Sequence, residues 1–139
     1  MPFRCRIPVR FGDIDPAGVA YYPTLLHHCH AAFEEFFARA LRTPYPEVLR
    51  RDRLGFPTVH LQADFRSPLR YGDVLDVEVC VAALGRSSVA FRYRGRVRGR
   101  LAFEAAVTTV CVDMRNFKTR PVPPRYRGLF SAHLAKRRA

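Results

Sequence analysis

The chain has 139 residues, 48% of them hydrophobic, and carries a formal net charge of +12 at pH 7. This length suits one compact domain with one core and leaves no room for a second domain. Arginine supplies nearly all of the positive charge, because Lys118 and Lys136 are the only lysines. Such a chain is expected to bind an anionic partner, which composition alone leaves open between nucleic acid, an acidic membrane and a small phosphate-rich ligand.

The cysteine pattern indicates reduced core thiols rather than a zinc site or a disulfide framework, because the cysteines are widely spaced and form no C-x-x-C pair. The N-terminus has no apolar run suited to a signal peptide, and no stretch of about 18 apolar residues could span a bilayer. We therefore expect a cytoplasmic protein with no membrane partner and no metal. The cysteines are Cys5, Cys29, Cys80 and Cys111.

The first third of the chain predicts a strand, a loop and a long helix. Residues 3–11 alternate loosely between apolar and basic side chains, which is typical of a strand. From residue 22 to about residue 41, apolar residues recur at three- and four-residue steps, which predicts one helix. Pro23 suits the first turn of this helix, and the T-P-Y-P stretch at 43–46 ends it. The apolar positions are Leu25, Leu26, Cys29, Ala32, Phe33, Phe36, Phe37 and Ala40.

The rest of the chain is predicted to form strands after a short helical connection at 47–54. Three segments alternate between apolar and polar residues, and a fourth is apolar on both faces, as a central strand would be. The proline-containing tail after residue 120 is expected to be a loop with a frayed, basic end at 136–138. The predicted strands cover residues 59–65, 76–81, 89–94 and 101–112.

These elements favour an α+β fold. A strand, one long apolar helix and four further antiparallel strands can bury the helix most simply if a five-stranded antiparallel sheet curls around it. No repeat or linker interrupts this arrangement.

The segment F-G-D-I-D-P-A-G-V-A-Y-Y-P at 11–23 joins the first strand to the helix. This arrangement resembles the hotdog-fold acyl-CoA thioesterases, particularly the 4-hydroxybenzoyl-CoA thioesterase group. R-Y-G-D at 70–73, G-R-S-S at 85–88 and V-C-V-D-M at 110–114 fall where that family has strand starts and its last long strand. The resemblance implies a single hotdog thioesterase domain over residues 1–139, with a long central helix wrapped by a five-stranded antiparallel sheet.

The resemblance implies that Asp15 is catalytic and that the backbone N–H of Tyr22 holds the thioester oxygen. Elementary chemistry agrees, because free N–H groups at a helix start can stabilise the oxyanion that forms at an attacked thioester carbonyl. Pro23 has no N–H, so Tyr22, Thr24 and Leu25 are the possible donors. The carboxylate of Asp15 could attack the carbonyl itself or activate a water molecule.

Other polar residues near this segment have more modest expected roles. Asp13 is expected to cap backbone N–H groups of its own loop, and Gly18 to supply a positive φ or a close backbone approach. His30 and Glu34 are expected to face each other on the helix surface or to line a subunit contact, and H-x-x-x-E without a second histidine does not suggest a metal site. Glu34 is the reserve candidate for the catalytic acid.

The substrate-binding residues implied by the resemblance are Gly18 and Pro23 near the helix start, and Arg86, Ser87 and Ser88 in the turn that contacts the nucleotide end of coenzyme A. Arginine near the cleft mouth suits the phosphates of that molecule. The alternating arginines of 92–100 are expected to share one sheet face, either solvated or facing another subunit's ligand.

The predicted function is hydrolysis of an acyl-CoA thioester to the free acid and coenzyme A, without a separate cofactor. An aromatic acyl group such as hydroxybenzoyl is one option, and a short to medium acyl chain is another. C-H-x-A-F-E at 29–34 resembles the helix of 1,4-dihydroxynaphthoyl-CoA thioesterases, which favours the aromatic option.

Two other classes of function remain as alternatives. A non-catalytic acyl-CoA-binding hotdog protein would keep the fold without the chemistry. A basic nucleic-acid-binding module is suggested by F-R-Y-R-G-R-V-R at 91–98, but this stretch lacks an R-G-F-G-F core, and we expect no nucleic-acid partner. A homodimer or homotetramer is expected, because one sheet of this kind has open edges.

Overall fold

The computed structural model describes residues 2–135, and these residues form eight strands and three α-helices. None of these helices is long and apolar enough to cross a membrane. The strands are β1 (Phe3–Pro8), β2 (Leu54–Gly55), β3 (Thr58–Phe65), β4 (Val74–Leu84), β5 (Ser88–Val97), β6 (Arg100–Val110), β7 (Val112–Asp113) and β8 (Lys118–Thr119). The helices are α1 (Tyr22–Glu35), α2 (Tyr45–Arg50) and α3 (Pro124–Ser131).

Five strands form one antiparallel sheet in the order β1-β4-β5-β6-β3. Helix α1 packs on one face of this sheet, where Phe33 and Phe36 each meet Phe91 of β5 edge to face. The predicted α+β architecture, one long helix held by a five-stranded antiparallel sheet, is confirmed. Strands β1 and β3 are the two edges of the sheet.

The long helix covers the predicted range, although its last turn differs from the rest. After α1 the chain continues as a π-helical turn over Phe36–Ala40. A hydrogen bond of 3.0 Å from the Leu41 N–H to the Phe36 carbonyl closes this turn. Phe36 and Phe37 are both fully buried there, so the end of the helix is fixed in the core.

The two faces of β5 differ in chemistry, as the alternation predicts. Arg92, Arg94 and Arg96 lie on the face away from α1 and are half-buried. Arg94 lies 3.5 Å from Glu104 of β6. Arg96 lies 3.2 Å from Glu78 of β4. Neighbouring carboxylates therefore balance part of the positive charge on the outer face. The buried residues facing α1 are Val89, Phe91, Tyr93 and Val97.

The first strand is shorter than predicted, because β1 ends at Pro8 and not at residue 11. A 3₁₀ turn occupies Phe11–Asp13 instead. The Asp13 carboxylate accepts a hydrogen bond of 2.9 Å from the Arg10 N–H, which stabilises this turn. The alternation of apolar and polar residues does not reveal a side-chain hydrogen bond of this kind, which stabilises a turn in place of strand pairing.

The prediction that the tail is a loop was wrong for residues 124–131, which form α3. Phe130 of this helix is fully buried and packs against Phe37 and Phe56. The small sheet β2-β7-β8 was not predicted either. The basic residues 136–138 lie outside the described residues.

Helix α3 is held by a carboxylate that follows α2. The Tyr126 hydroxyl donates a hydrogen bond to Asp52, and Arg125 lies 3.2 Å from the same carboxylate. The hydrogen bond from Tyr126, together with the neighbouring arginines, lowers the pKa of Asp52. Asp52 is therefore an ionised acceptor that ties the C-terminal helix to the body of the protein.

Replacing Tyr126 by phenylalanine should lower the free energy of unfolding by about 1.5–3 kcal/mol, since a hydrogen bond to a charged group is lost. Urea unfolding at pH 7 measures this change. The pKa of Asp52 is lower in the folded state, so its contribution exists above its unfolded pKa of about 3.9 and disappears as the pH falls through its folded pKa. The deficit of the variant should therefore shrink in acid.

The matched control is Tyr71→Phe, because Tyr71 is 65% exposed and its hydroxyl makes no hydrogen bond within residues 2–135. We expect its stability to equal that of the wild type. Equal stability of all three proteins would show that Tyr126 does not anchor the helix.

Candidate active site

The D-P-A-G segment forms a tight turn between Ile14 and Ala20, which pair as an isolated antiparallel bridge. The Gly18 N–H donates to the Asp15 carbonyl at 2.9 Å, which closes a β-turn with Pro16 in its second position. Gly18 has a φ of +83°, a conformation that favours glycine. Of the two roles expected for Gly18, the positive φ is confirmed. A Cβ at Gly18 would meet no atom within 4 Å, so no close approach within residues 2–135 requires the glycine.

The Asp15 carboxylate lies half-buried at the start of this turn. Its Oδ1 accepts a hydrogen bond of 2.8 Å from the Ala17 N–H. Its Oδ2 has no hydrogen-bond partner within residues 2–135. Asp15 thus has a structural contact on one oxygen and a second oxygen that is available to a substrate or water.

The first turn of α1 leaves one backbone donor free. The four N–H groups at a helix start have no partner within the helix. Tyr21 donates to the Asp13 carbonyl and Thr24 to the Tyr21 carbonyl, both at 2.9 Å. Pro23 has no N–H. The Tyr22 N–H therefore remains, and it has no acceptor in the part of the chain that the structure describes.

Asp13 holds the loop against the helix. Its Oδ2 accepts the Arg10 N–H at 2.9 Å and lies 3.0 Å from His28 Nε2 of α1. His28 is buried, with 7% of its side chain exposed. The expectation that Asp13 caps N–H groups of its own loop is confirmed. The partnership with His28 was missed, although His28 falls on the apolar stripe three residues after Leu25.

Two clefts lie between α1 and strand β3. The first, of about 340 Å³, is beside the helix start and is lined by Tyr22, Leu25 and Phe65 among others. The rings of Tyr22 and Phe65 lie 6.4 Å apart. The second, which we call the α1–β3 cleft, has a volume of about 320 Å³. Its lining is mainly apolar and aromatic and consists of Leu26, Cys29, His30, Phe33, Tyr45, Phe56, Pro57, Thr58, Leu61, Tyr93, Val107 and Thr109.

The cysteine in the α1–β3 cleft is not a candidate nucleophile. Burial raises the pKa of the Cys29 thiol to about 12, and the thiolate is the reactive form. Cys29 therefore belongs to the neutral wall of the cleft.

The turn that contains Arg86, Ser87 and Ser88 lies at the opposite end of the sheet from the Asp15 loop. The loop follows β1, whose last residue, Pro8, pairs with Val74 at the start of β4. The Ala20 N–H also donates to the carbonyl of Leu69, which precedes that strand, at 2.8 Å. The turn follows the end of β4, whose 11 residues span on the order of 35 Å. Within one chain, the structure does not bring Arg86 near Asp15.

Arg86 itself is exposed, and its guanidinium makes no ion pair within residues 2–135. The backbone of its turn is fixed by α3, because Arg127 Nη2 donates to the carbonyls of Gly85 and Arg86 at 2.8 and 2.9 Å. Arg86 is thus a free cation on a rigid support.

His30 and Glu34 face each other at 3.7 Å on the exposed side of α1, as expected. No group of three potential metal ligands occurs among residues 2–135. Of the predicted site residues, Asp15 and Gly18 share one turn, and Tyr22 and Pro23 form the first turn of α1.

Residues 9–130 match the family described as the thioesterase-like superfamily. The chain is 32% identical over 120 residues to a 1,4-dihydroxy-2-naphthoyl-CoA hydrolase of Synechococcus elongatus, covering 84% of this chain and 86% of that protein. It is 33% identical over 118 residues to the hydrolase of the same name from Prochlorococcus marinus, covering 81% and 76%. Among solved structures, a thioesterase superfamily protein of Jannaschia sp. matches with a TM-score of 0.92 at 28% identity, covering 97% of this chain and 94% of that one.

Replacing Asp13 by alanine should lower the free energy of unfolding by about 1–3 kcal/mol, because the Arg10 N–H and the buried His28 lose their acceptor. Urea unfolding measures the change. Glu35→Ala removes an exposed carboxylate of α1 whose partner is Arg39 at 3.6 Å on the surface, and this control should change stability little. If Asp13→Ala were as stable as Glu35→Ala, Asp13 would not be the anchor of the loop.

Proposed function

Since the chain belongs to the thioesterase-like superfamily and is an acyl-CoA thioester hydrolase, we propose that it cleaves aromatic acyl-CoA thioesters to the free acid and coenzyme A. In this proposal Asp15 is the catalytic carboxylate and the Tyr22 backbone N–H holds the thioester oxygen. The substrate lies close to the backbone at Gly18 and Pro23, and the turn at 86–88 binds the nucleotide end of coenzyme A.

The observation that carries this proposal is the free Tyr22 N–H beside the Asp15 turn. Attack on a thioester carbonyl places negative charge on its oxygen, which a preorganised donor stabilises best where no reorganisation is needed. The positive end of the helix dipole adds to this effect. Because Tyr21 and Thr24 already donate to backbone carbonyls, the site offers Tyr22 to the oxyanion.

Asp15 can act in two ways that give the same products. Its free oxygen can attack the carbonyl carbon, which expels the coenzyme A thiolate and forms an anhydride that water then hydrolyses. Alternatively it can take a proton from a water molecule that attacks the same carbon. Both routes need a carboxylate oxygen without a protein partner, and Asp15 Oδ2 meets that requirement within residues 2–135.

An aromatic acyl group is supported by the walls of the α1–β3 cleft. Phe33, Tyr45, Phe56 and Tyr93 all line it, and aromatic side chains pack well against aromatic rings. The named relatives from Synechococcus elongatus and Prochlorococcus marinus act on a two-ring aromatic acyl group. These observations together favour an aryl over a linear acyl chain.

A homodimer in which each site uses two chains would unite the two ends of the substrate site. A two-fold axis beside the β3 edge would pair β3 with its copy and reverse the direction of the partner sheet. The partner's turn at 86–88 would then lie at the same end as the Asp15 loop. Arg86 of the partner could there bind the coenzyme A phosphates.

The chemistry of the two sheet edges supports β3 as the contact. Val59 and Leu61 of β3 are exposed apolar residues, at 60% and 43%. The other edge, β1, carries the exposed residues Arg4 and Arg6 and ends in Pro8. Charge and proline are the usual means by which an edge strand avoids pairing.

Asp15→Asn should reduce kcat by on the order of 10² or more with folding preserved, because the amide can neither attack the thioester nor accept a proton from water. Release of free thiol from benzoyl-CoA and hydroxybenzoyl-CoA measures the rate, and circular dichroism checks the fold.

The matched control is Glu34→Gln, which neutralises the reserve carboxylate on the exposed side of α1. This variant should keep near wild-type kcat. Near wild-type kcat in Asp15→Asn, or a large loss in Glu34→Gln alone, would contradict the assignment.

Mixing Asp15→Asn with Arg86→Ala tests the two-chain site. If Asp15 and Arg86 of one site come from different chains, each mixed dimer contains one site with both wild-type residues. After subunit exchange, the rate at low substrate concentration should rise above the average of the two separate variants.

The control mixture pairs Asp15→Asn with the double variant Asp15→Asn/Arg86→Ala, in which no site has a wild-type aspartate. Its rate should not rise. Failure of the first mixture to gain activity, with exchange verified by mass spectrometry, would place both residues of a site in one chain.

A further inference from the structure

Tyr93 lies in the middle of β5 on the face toward α1, and it forms part of the wall of the α1–β3 cleft. Its backbone is fixed between two neighbouring strands, opposite Val79 of β4 and Ala105 of β6. Only 2% of its surface is exposed. Tyr93 is therefore a rigid and almost completely buried side chain.

The Tyr93 hydroxyl has no hydrogen-bond partner within residues 2–135. Yet no fully buried side-chain oxygen or nitrogen of these residues lacks a partner. The hydroxyl must therefore belong to the small exposed part of the side chain, and this part faces the cleft that Tyr93 lines. Since the hydroxyl has no partner within residues 2–135, it is available to a water molecule or to a ligand that enters the cleft and displaces that water.

The hydroxyl is a neutral donor. Burial raises the pKa of Tyr93 well above its usual value of 10.0. Two other buried or half-buried hydroxyls of the cleft already have backbone partners. Tyr45 accepts the Phe56 N–H at 2.9 Å, and Thr109 donates to the Val89 carbonyl at 2.9 Å. Of the hydroxyls of Tyr45, Thr109 and Tyr93, that of Tyr93 alone makes no hydrogen bond within residues 2–135.

We propose that the Tyr93 hydroxyl is a specificity residue that donates a hydrogen bond to a hydroxyl or carbonyl oxygen on the ring of the bound aryl group. This inference rests on the proposed function, which places an aryl acyl group in the α1–β3 cleft. Cys29, which also lines the cleft, lies about two turns beyond Tyr22, or roughly 10 Å along the helix axis. A thioester held at Tyr22 therefore directs its ring toward Cys29 and Tyr93.

The Tyr93 hydroxyl favours rings that carry an oxygen substituent, because binding any other ring leaves the hydroxyl without a hydrogen bond. An unsubstituted ring would leave the Tyr93 hydroxyl desolvated and unpaired, whereas an oxygen substituent would satisfy it. A site that offers a buried hydrogen-bonding group discriminates strongly against an analogue that lacks the complementary atom. The predicted substrate class is an aryl-CoA whose ring carries a polar oxygen.

Tyr93→Phe tests the inference, because it removes one oxygen and preserves the shape of the side chain. We compare kcat/KM for hydrolysis by the wild type and by Tyr93→Phe. The substrates are benzoyl-CoA, 3-hydroxybenzoyl-CoA, 4-hydroxybenzoyl-CoA and 1,4-dihydroxy-2-naphthoyl-CoA. For the best hydroxylated substrate, kcat/KM should fall by about tenfold relative to that of benzoyl-CoA. Tyr71→Phe is the control and should keep all ratios. An unchanged ratio in folded Tyr93→Phe would overturn the inference.

Binding of the free product acids separates this inference from the proposed function. Calorimetry compares benzoate with the hydroxybenzoates in the wild type and in Tyr93→Phe. If the wild type hydrolyses no aryl-CoA, the proposed function fails. A preference for the hydroxylated acid that Tyr93→Phe loses would still support the hydrogen bond, and equal preferences in both proteins would overturn it.

Discussion

The burial of α1 against the five-stranded sheet is the constraint on which the rest of the structure depends. Buried side chains occur along α1 from Leu25 through Cys29 to Phe33. Phe33 packs on Phe91, as does Phe36 of the π-helical turn that follows α1. A helix fixed along its whole length also has a fixed first turn. The direction of its N–H groups is therefore set by the core and does not depend on a mobile loop, which is how an oxyanion donor becomes preorganised.

The two carboxylates of D-I-D have different roles, because Asp13 anchors the loop and Asp15 is the proposed catalytic group. Asp13 accepts the Arg10 N–H within the loop and joins the loop to α1 through His28, while Asp15 keeps one oxygen free of protein contacts within residues 2–135. The β-turn closed by Gly18 fixes the position of Asp15 relative to its anchor. A functional carboxylate on a loop gains precision when a neighbouring residue with buried contacts holds that loop.

The sequence predicted what local patterns can determine. Apolar periodicity predicted α1 and the strands, and the D-P-A-G chemistry predicted the positive φ of Gly18. Helix α3 was missed because prolines at its start resemble a loop, and its core contact depends on Phe130 meeting residues distant in sequence. The separation of Arg86 from Asp15 follows from strand order, which no local pattern contains. Family resemblance pointed to the chemistry, and neither resemblance nor pattern pointed to Tyr93.

The most direct test of the account is a crystal structure of Asp15→Asn with a non-hydrolysable hydroxyaryl-CoA analogue. The account predicts that the carbonyl oxygen lies within hydrogen-bond distance of the Tyr22 N–H, about 3 Å. The side-chain amide introduced in place of the Asp15 carboxylate should lie beside the carbonyl carbon, with the ring in the α1–β3 cleft. An analogue bound with its carbonyl remote from Tyr22, for example on the outer face of the sheet, would contradict it.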